Sequence, residues 1–323
     1  MPQLLNYNEL LIKAATFNNP EEIPIKVDIL PAVIIKYGDS FHNLTEKYPY
    51  LHFGVTRDYD PAVHSPPTFH EGQYTDAWGC IWSNVQEGME AIVTGHPLLT
   101  RESVHTMKVP ETDHGLPHGF MYLRLLDLRG FEEMMIDFAE EPPELQILID
   151  KVLNYNLTQV EKAVKNNTGK MIYFGDDQGM QTGLAIGAEK WRKYLKPCYS
   201  ALYKLCVDAD KLVYMHTDGC IWEIIPDLFE CGVTILNPQF RANGLDNLVR
   251  VCKGKYPVNL DLDRQLFPFA SHTELHDHVM ECVKAFYLPE GGFGINLELG
   301  PEVSLDRMDV LFNVLDKVRV YRT

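Results

Sequence analysis

The chain has 323 residues, 46% of them apolar, and a formal net charge of −16, so it is long enough for two average domains or one large α/β barrel. Such an acidic surface repels nucleic acids and anionic membranes, and we expect neither as a partner. The sequence has seven cysteines without a C-x-x-C pair, no signal-peptide pattern and no apolar run of membrane-spanning length. These features are typical of a reduced cytoplasmic protein.

The first 118 residues predict an irregular N-terminal part. An amphipathic helix is predicted over 1–18 and a strand over 25–37. Segments 74–82 and 90–94 predict a short hairpin, which we interpret as a lid-like insertion rather than a separate domain. A further strand is predicted over 120–128, followed by helices over 131–139 and 142–166, the second of which starts with prolines.

Residues 119–323 predict regular β/α repeats. Apolar strands at 171–175, 212–216, 233–237, 257–261 and 293–298 alternate with helical patterns at 188–209, 221–230, 244–253, 272–287 and 304–318. This alternation implies a parallel sheet. No Gly-rich nucleotide loop follows any strand, so we favour a (β/α)8 barrel of the TIM type over an open doubly wound sheet. We expect one domain over 1–323, with its active site at the carboxyl ends of the strands.

Polar side chains end the last five predicted strands. They are Asp176, Asp177 and Gln178, then His216 and Asp218, then Asn237, then Asp261, and finally Glu298. Side chains two apart on a strand point the same way, so His216 and Asp218 should face one cavity. We predict Asp176, Asp177, His216 and Asp218 as catalytic residues. An alternative role for Asp176 or Asp177 is to cap a turn.

Substrate contacts are predicted in two places. Gln178, Asn237 and Asp261 lie at strand ends, where they could bind polar groups of a substrate. Tyr74 and Trp78 lie in the N-terminal part and could form an apolar lid over it. These two aromatic residues could equally be ordinary core residues, since large aromatic side chains dominate protein cores.

Several segments of the second half carry a family likeness. They are YFGDDQGMQTGLAIGAEKWRKYLKPCYSALY, VYMHTDGCIWEIIPDLFECGVTILNPQ and, more loosely, PVNLDLDRQLFPFASHTELHDHV and GGFGINLELGPEVSLDRM. In order and spacing the chain resembles the uroporphyrinogen decarboxylase superfamily over about residues 170–310, particularly the branch of cobalamin-dependent methyltransferases. The resemblance implies a (β/α)8 barrel with an active site in a deep cleft at its carboxyl face.

The chain departs from both well-known branches of that superfamily. It lacks the Arg-rich R-Q-A-G-R segment with which the decarboxylases receive a polyanionic porphyrinogen. The methyltransferases bind zinc through H-x-C and a later Cys, whereas here Asp218 stands in place of the first Cys and no Cys lies near Glu298. We predict a site of harder ligands from His216, Asp218 and Glu298, which would suit catalytic Zn²⁺. The sequence leaves open whether a metal is bound.

Methyl transfer is the first functional hypothesis. By resemblance, the chain would move a methyl group from a small methylated substrate, a methyl ether or methylamine, to a corrinoid on a partner protein. The alternative is a decarboxylase or lyase acting on a smaller carboxylic acid, with Asp176 or Asp177 protonating the carbanion. A third hypothesis is a non-catalytic barrel that binds a corrinoid or a methylated ligand. The sequence leaves the substrate and formation of a homodimer open.

Overall fold

A computed structural model describes residues 6–111 and 115–322 of the chain. Within this part the chain forms two compact units. The first contains residues 6–72, 84–91 and 239–322, and the second contains residues 73–83 and 92–238. The prediction of a single domain over 1–323 stays a prediction.

The strands are numbered in chain order. They are β1 (Ile25–Ile29), β2 (His52–Phe53), β3 (Gly72–Thr75), β4 (Ile81–Asn84), β5 (Ile92–Gly95), β6 (Met171–Gly175), β7 (Leu212–Thr217), β8 (Ile235–Pro238), β9 (Val258–Asp261) and β10 (Phe293–Leu299).

The helices are numbered in the same way. They are α1 (Tyr7–Ala15), α2 (Pro31–Tyr37), α3 (Asp39–Thr45), α4 (Pro61–His64), α5 (Ser103–Thr106), α6 (Tyr122–Arg129), α7 (Phe131–Glu140), α8 (Pro143–Asn166), α9 (Gly187–Lys190), α10 (Lys196–Asp208), α11 (Ile225–Glu230), α12 (Phe240–Asn243), α13 (Leu245–Cys252), α14 (His272–Phe286) and α15 (Leu305–Val318). A 3₁₀ turn occupies Pro67–Phe69, and a π-helical turn, Trp191–Leu195, joins α9 to α10.

In the first unit, β1 pairs in parallel with β2 and β10, and β10 pairs in parallel with β9. All of β9 and nearly all of β10 are buried, as expected for parallel strands covered on both faces. Helix α14 begins with a reciprocal capping box, in which the side chains of Ser271 and Glu274 each accept the backbone N–H of the other residue.

In the second unit, β6, β7 and β8 form a parallel ladder. Strands β4 and β5 pair in an antiparallel manner with β3 beside β4, which confirms the predicted hairpin and adds one strand to it. Parallel strands that alternate with helices in both units are the repeats of a TIM-type α/β barrel. The predicted fold class is confirmed, and the five strands predicted after residue 170 lie within two residues of their observed positions at each end.

Two predicted strands are wrong in whole or in part. Segment 120–128 forms helix α6, because the Asp176 carboxylate accepts the backbone N–H groups that begin this helix, a long-range contact without a local signal. Segment 25–37 is strand β1 followed by helix α2, which starts at Pro31, a residue well suited to the first turn of a helix. Of the predicted helix over 1–18, α1 is observed, while residues 1–5 lie outside the described residues.

The seven cysteines are all free and buried, as predicted for a chain without a disulfide framework. Within residues 6–111 and 115–322, no helix combines the length and apolar character needed to cross a membrane.

Candidate functional site

The site is built where β6 and β7 end side by side. The ladder brings Gly175 level with His216, and the Asp176 N–H donates to the His216 carbonyl over 3.1 Å. Beyond the strands, the Gly179 N–H donates to the Asp218 carbonyl over 3.2 Å. The two strand ends therefore continue as two loops held together by their backbones.

Glycine is required where these loops touch. Gly219 has φ +83°, and a Cβ on it would lie 2.1 Å from the Gly179 carbonyl oxygen. A Cβ on Gly179 would lie 2.5 Å from the Cys220 nitrogen. A larger residue at either position would separate the loops. The glycines of GDDQG and HTDG thus fix the spacing of the side chains between them.

Three predicted residues meet at these ends. The Asp177 Oδ1 atom accepts the Asp218 N–H over 2.9 Å and lies 3.9 Å from His216 Nε2. The Asp218 Oδ1 atom lies 3.5 Å from the same His216 nitrogen. The prediction that His216 and Asp218 face the same side is confirmed. Asp177, two residues beyond the end of β6, completes the group.

His118 is the member of the site that the sequence analysis missed. Its Nε2 lies 3.2 Å from Asp177 Oδ1, and its ring centroid lies 5.7 Å from that of His216. Gly175 makes room for it, because a Cβ there would lie 2.5 Å from His118 Cδ2. His118 stands in an irregular, proline-containing segment, and no local sequence pattern marks it as a site residue.

Asn237 fixes the orientation of His216. The β7–β8 register places the two residues opposite one another, and His216 Nδ1 lies 2.8 Å from Asn237 Oδ1. An amide oxygen can only accept a hydrogen bond, so Nδ1 carries a proton and donates it. In the neutral ring the lone pair is then on Nε2, which faces Asp177 and Asp218. Asn237, predicted to bind substrate, is placed here as a positioning residue.

Asp177 is held in its ionised form. Burial opposes ionisation, but the hydrogen bond from His118, the charges of His118 and His216 and the Asp218 N–H together lower the pKa of Asp177 below its usual value. An aspartate with a lowered pKa is a ligand or proton acceptor at neutral pH and a poor proton donor.

Asp176 lies on the other side of the chain from Asp177 and is completely buried. Its carboxylate accepts the N–H groups of Met121, Tyr122 and Leu123 over 3.1, 2.6 and 2.9 Å. It also accepts the Tyr199 hydroxyl over 2.7 Å. Burial raises the pKa of Asp176 while these hydrogen bonds oppose that shift. The contacts favour a structural role, capping α6, over the predicted role in catalysis.

Other predicted residues have packing partners. The buried Gln178 side chain accepts the Trp191 indole N–H over 2.6 Å, at the π-helical turn before α10. Trp78 is buried with its ring edge-on to Tyr155 at 4.9 Å, which favours the core alternative for this residue. Tyr74 is part of β3 and 37% exposed, so it is accessible to a ligand.

The remaining predicted residues belong to the first unit. The Asp261 carboxylate accepts an N–H from Asn296 over 3.4 Å, and the Glu298 carboxylate pairs with Arg264.

The ligand atoms of His118, Asp177 and His216 all lie within 4.8 Å of one another. This group is suited to hold a metal ion without any contribution from Glu298.

Comparisons with known proteins place these observations in a family. Residues 120–318, more than half of the chain, match the family model described as uroporphyrinogen decarboxylase (URO-D). A solved structure described as a methyltransferase from Methanosarcina mazei is similar over 95% of this chain and 97% of its own, with a TM-score of 0.62 and 14% sequence identity. No curated protein matches the sequence. The chain belongs to the uroporphyrinogen decarboxylase family.

Proposed function

We propose that this protein is a methyltransferase that takes a methyl group from a small methylated substrate, a methyl ether or methylamine, and delivers it to a corrinoid on a partner protein. The family membership and the similar fold of a methyltransferase support this proposal. The observation that carries it is the fixed orientation of His216, whose Nε2 faces Asp177 and Asp218.

Demethylation of an ether or amine leaves a heteroatom that needs a proton. An imidazolium at His216 would donate that proton from Nε2, since Nδ1 is already engaged with Asn237. The carboxylate oxygens of Asp177 and Asp218 lie 3.9 and 3.5 Å from His216 Nε2, on the side from which a substrate would receive the proton. The hydrogen bond to Asn237 prevents the ring from turning its reactive nitrogen away from the substrate.

The corrinoid would supply a reduced cobalt that accepts the methyl group. We assign no residue of this chain to it, because the partner protein would carry it. Partner and substrate are both parts of the proposal.

The test combines the purified protein, a reduced corrinoid protein and a panel of methyl ethers and methylamines. Methylation of the corrinoid is monitored through the change in its absorbance. We expect His216→Asn to slow the transfer about 10²–10⁴-fold, the usual contribution of general acid catalysis. His276→Asn is the matched control, because His276 is an exposed residue of α14. Absence of transfer from the whole panel by the wild type, or equal rates for His216→Asn, would refute the proposal.

Decarboxylation of a smaller carboxylic acid stays the alternative prediction. It relies on Asp176 or Asp177 as proton donor, whereas Asp176 is occupied by four donors and the pKa of Asp177 is lowered. Release of carbon dioxide from a substrate without any methylation of the corrinoid would select this alternative.

A further inference from the structure

We propose that His118, Asp177 and His216 bind one divalent transition-metal ion such as Zn²⁺ at the site of the proposed function. The proposal rests on that function only for the role of the ion, because ion binding itself follows from these three side chains. The ligand set differs from the thiolate set expected from the resemblance, which this chain lacks at Asp218 and near Glu298.

The types and spacing of the ligand atoms fit such an ion. Two imidazole nitrogens and one carboxylate oxygen lie within 4.8 Å of one another. Ligand atoms about 2.0–2.2 Å from a tetrahedral ion are separated from each other by about 3.3–3.6 Å, so a small inward movement of these side chains would let them coordinate one ion. His118 Nε2 and Asp177 Oδ1 are 3.2 Å apart, and His216 Nε2 and Asp177 Oδ1 are 3.9 Å apart. Nitrogen and carboxylate ligands without thiolates suit Zn²⁺ and its first-row neighbours.

The surroundings hold the ligands in position. Histidine ligands of metals usually donate their second ring N–H to an oxygen acceptor, and His216 does so to Asn237 Oδ1 over 2.8 Å. The Asp218 N–H holds Asp177 Oδ1 over 2.9 Å. Gly175 allows the His118 ring to lie against the end of β6. These contacts orient Asp177 and His216, and the missing side chain of Gly175 leaves room for His118, before an ion arrives.

The three side chains are accessible from solvent. The side chains of His118, Asp177 and His216 are 36%, 28% and 24% exposed, so solvent or a substrate can reach the ion. Three protein ligands with a fourth, open position are the arrangement of catalytic zinc sites. With an ion bound, His216 Nε2 would be a ligand, and the ion acting as a Lewis acid would take the place of proton donation from that nitrogen to the substrate heteroatom. Asp218 Oδ1 lies 3.5 Å from His216 Nε2, beside the three ligands.

The experiment is a calorimetric titration of chelator-treated protein with ZnCl₂. We expect one ion per chain for the wild type. His118→Ala and Asp177→Asn should lose more affinity than the roughly 10–100-fold that follows removal of an outer hydrogen-bond partner of a ligand. Asn237→Ala should show that 10–100-fold loss, and Asn237→Asp, which retains an oxygen acceptor, should restore most of the affinity. Gly175→Ala should also weaken binding, because its methyl group would displace His118.

His276→Ala is the control for surface binding and should retain wild-type affinity. Substitution with Co²⁺ gives a second readout, since a four-coordinate site produces intense visible absorption that His118→Ala should abolish. Circular dichroism verifies that each variant is folded, and Asp177→Asn is nearly isosteric should His118→Ala fail to fold. A wild type that binds no zinc, or folded His118→Ala and Asp177→Asn variants with wild-type affinity, would overturn the proposal. The titration contains neither substrate nor corrinoid, so its failure is distinguishable from failure of methyl transfer.

Discussion

The hydrogen bond between Tyr199 and Asp176 should contribute measurably to the stability of the fold. Tyr199→Phe removes one hydroxyl and leaves the ring, which stacks on Trp191 at a centroid distance of 6.0 Å. The three backbone N–H groups that bind the carboxylate remain in place. The change therefore deletes a single 2.7 Å hydrogen bond to a buried carboxylate, whose four hydrogen-bond donors favour its ionised form against the effect of burial.

The expected loss follows from the type of acceptor. A hydrogen bond to a charged group contributes about 1.5–3 kcal/mol to the free energy of unfolding. Tyr203→Phe is the matched control, because Tyr203 is also completely buried on α10 but donates to the sulfur of Met215 over 3.0 Å. A thioether is a weak acceptor. Tyr203→Phe should therefore lower the free energy of unfolding by about 0.5 kcal/mol or less, the lower limit for neutral hydrogen bonds.

The two variants are compared by urea unfolding followed by circular dichroism. We expect midpoints lowered at an unchanged m-value, since neither substitution alters the surface exposed on unfolding. The loss for Tyr199→Phe should exceed that for Tyr203→Phe by at least about 1 kcal/mol. Equal losses would show that Asp176 does not depend on this hydroxyl, and would reopen the question of a role in catalysis for its carboxyl group.

Two other predictions concern the loops and the pH dependence. Gly219→Ala should lower the free energy of unfolding by more than about 1–2 kcal/mol, the cost of a left-handed backbone for alanine, because the new methyl group would also clash with Gly179. Gly183, which has open space around it, provides the control, and Gly183→Ala should change the urea midpoint far less. Equal effects of the two substitutions would contradict this reasoning. Burial on α14 lowers the pKa of His278 to about 4, so its neutral form contributes stability above the unfolded value of about 6.5 that is lost as the pH falls toward 4. Unfolding of His278→Gln should depend less on pH across this window, and an identical dependence in both proteins would be evidence against a neutral His278.

Much of the fold was predictable because the β/α repeats carry local signals. The strands after residue 170 are continuous apolar runs, and each helix between them shows an apolar face of helical period. Helix α6 was not predictable in this way. Its first turn is stabilised by Asp176, more than fifty residues later in the chain, and its own sequence fits an apolar strand equally well.

The site was predictable for residues close together at one strand end and not for those that meet only through the fold. The spacing of His216 and Asp218 fixed their common side, and the ladder then placed Asn237 beside His216. His118 comes from a loop, and its approach depends on the missing side chain of Gly175. The different roles of Asp176 and Asp177 also required the structure, since adjacent aspartates look alike in the sequence.

The back-to-back arrangement of Asp176 and Asp177 has a consequence for insertions and deletions. The first carboxylate faces the buried start of α6 and the second faces the histidines. A gain or loss of one residue between β6 and Gly179 would slip the register and exchange the two sides. The cap of α6 and the contact of Asp177 with the histidines would then be lost together. We therefore expect insertions and deletions in natural or engineered relatives in the exposed turns and not in this short segment.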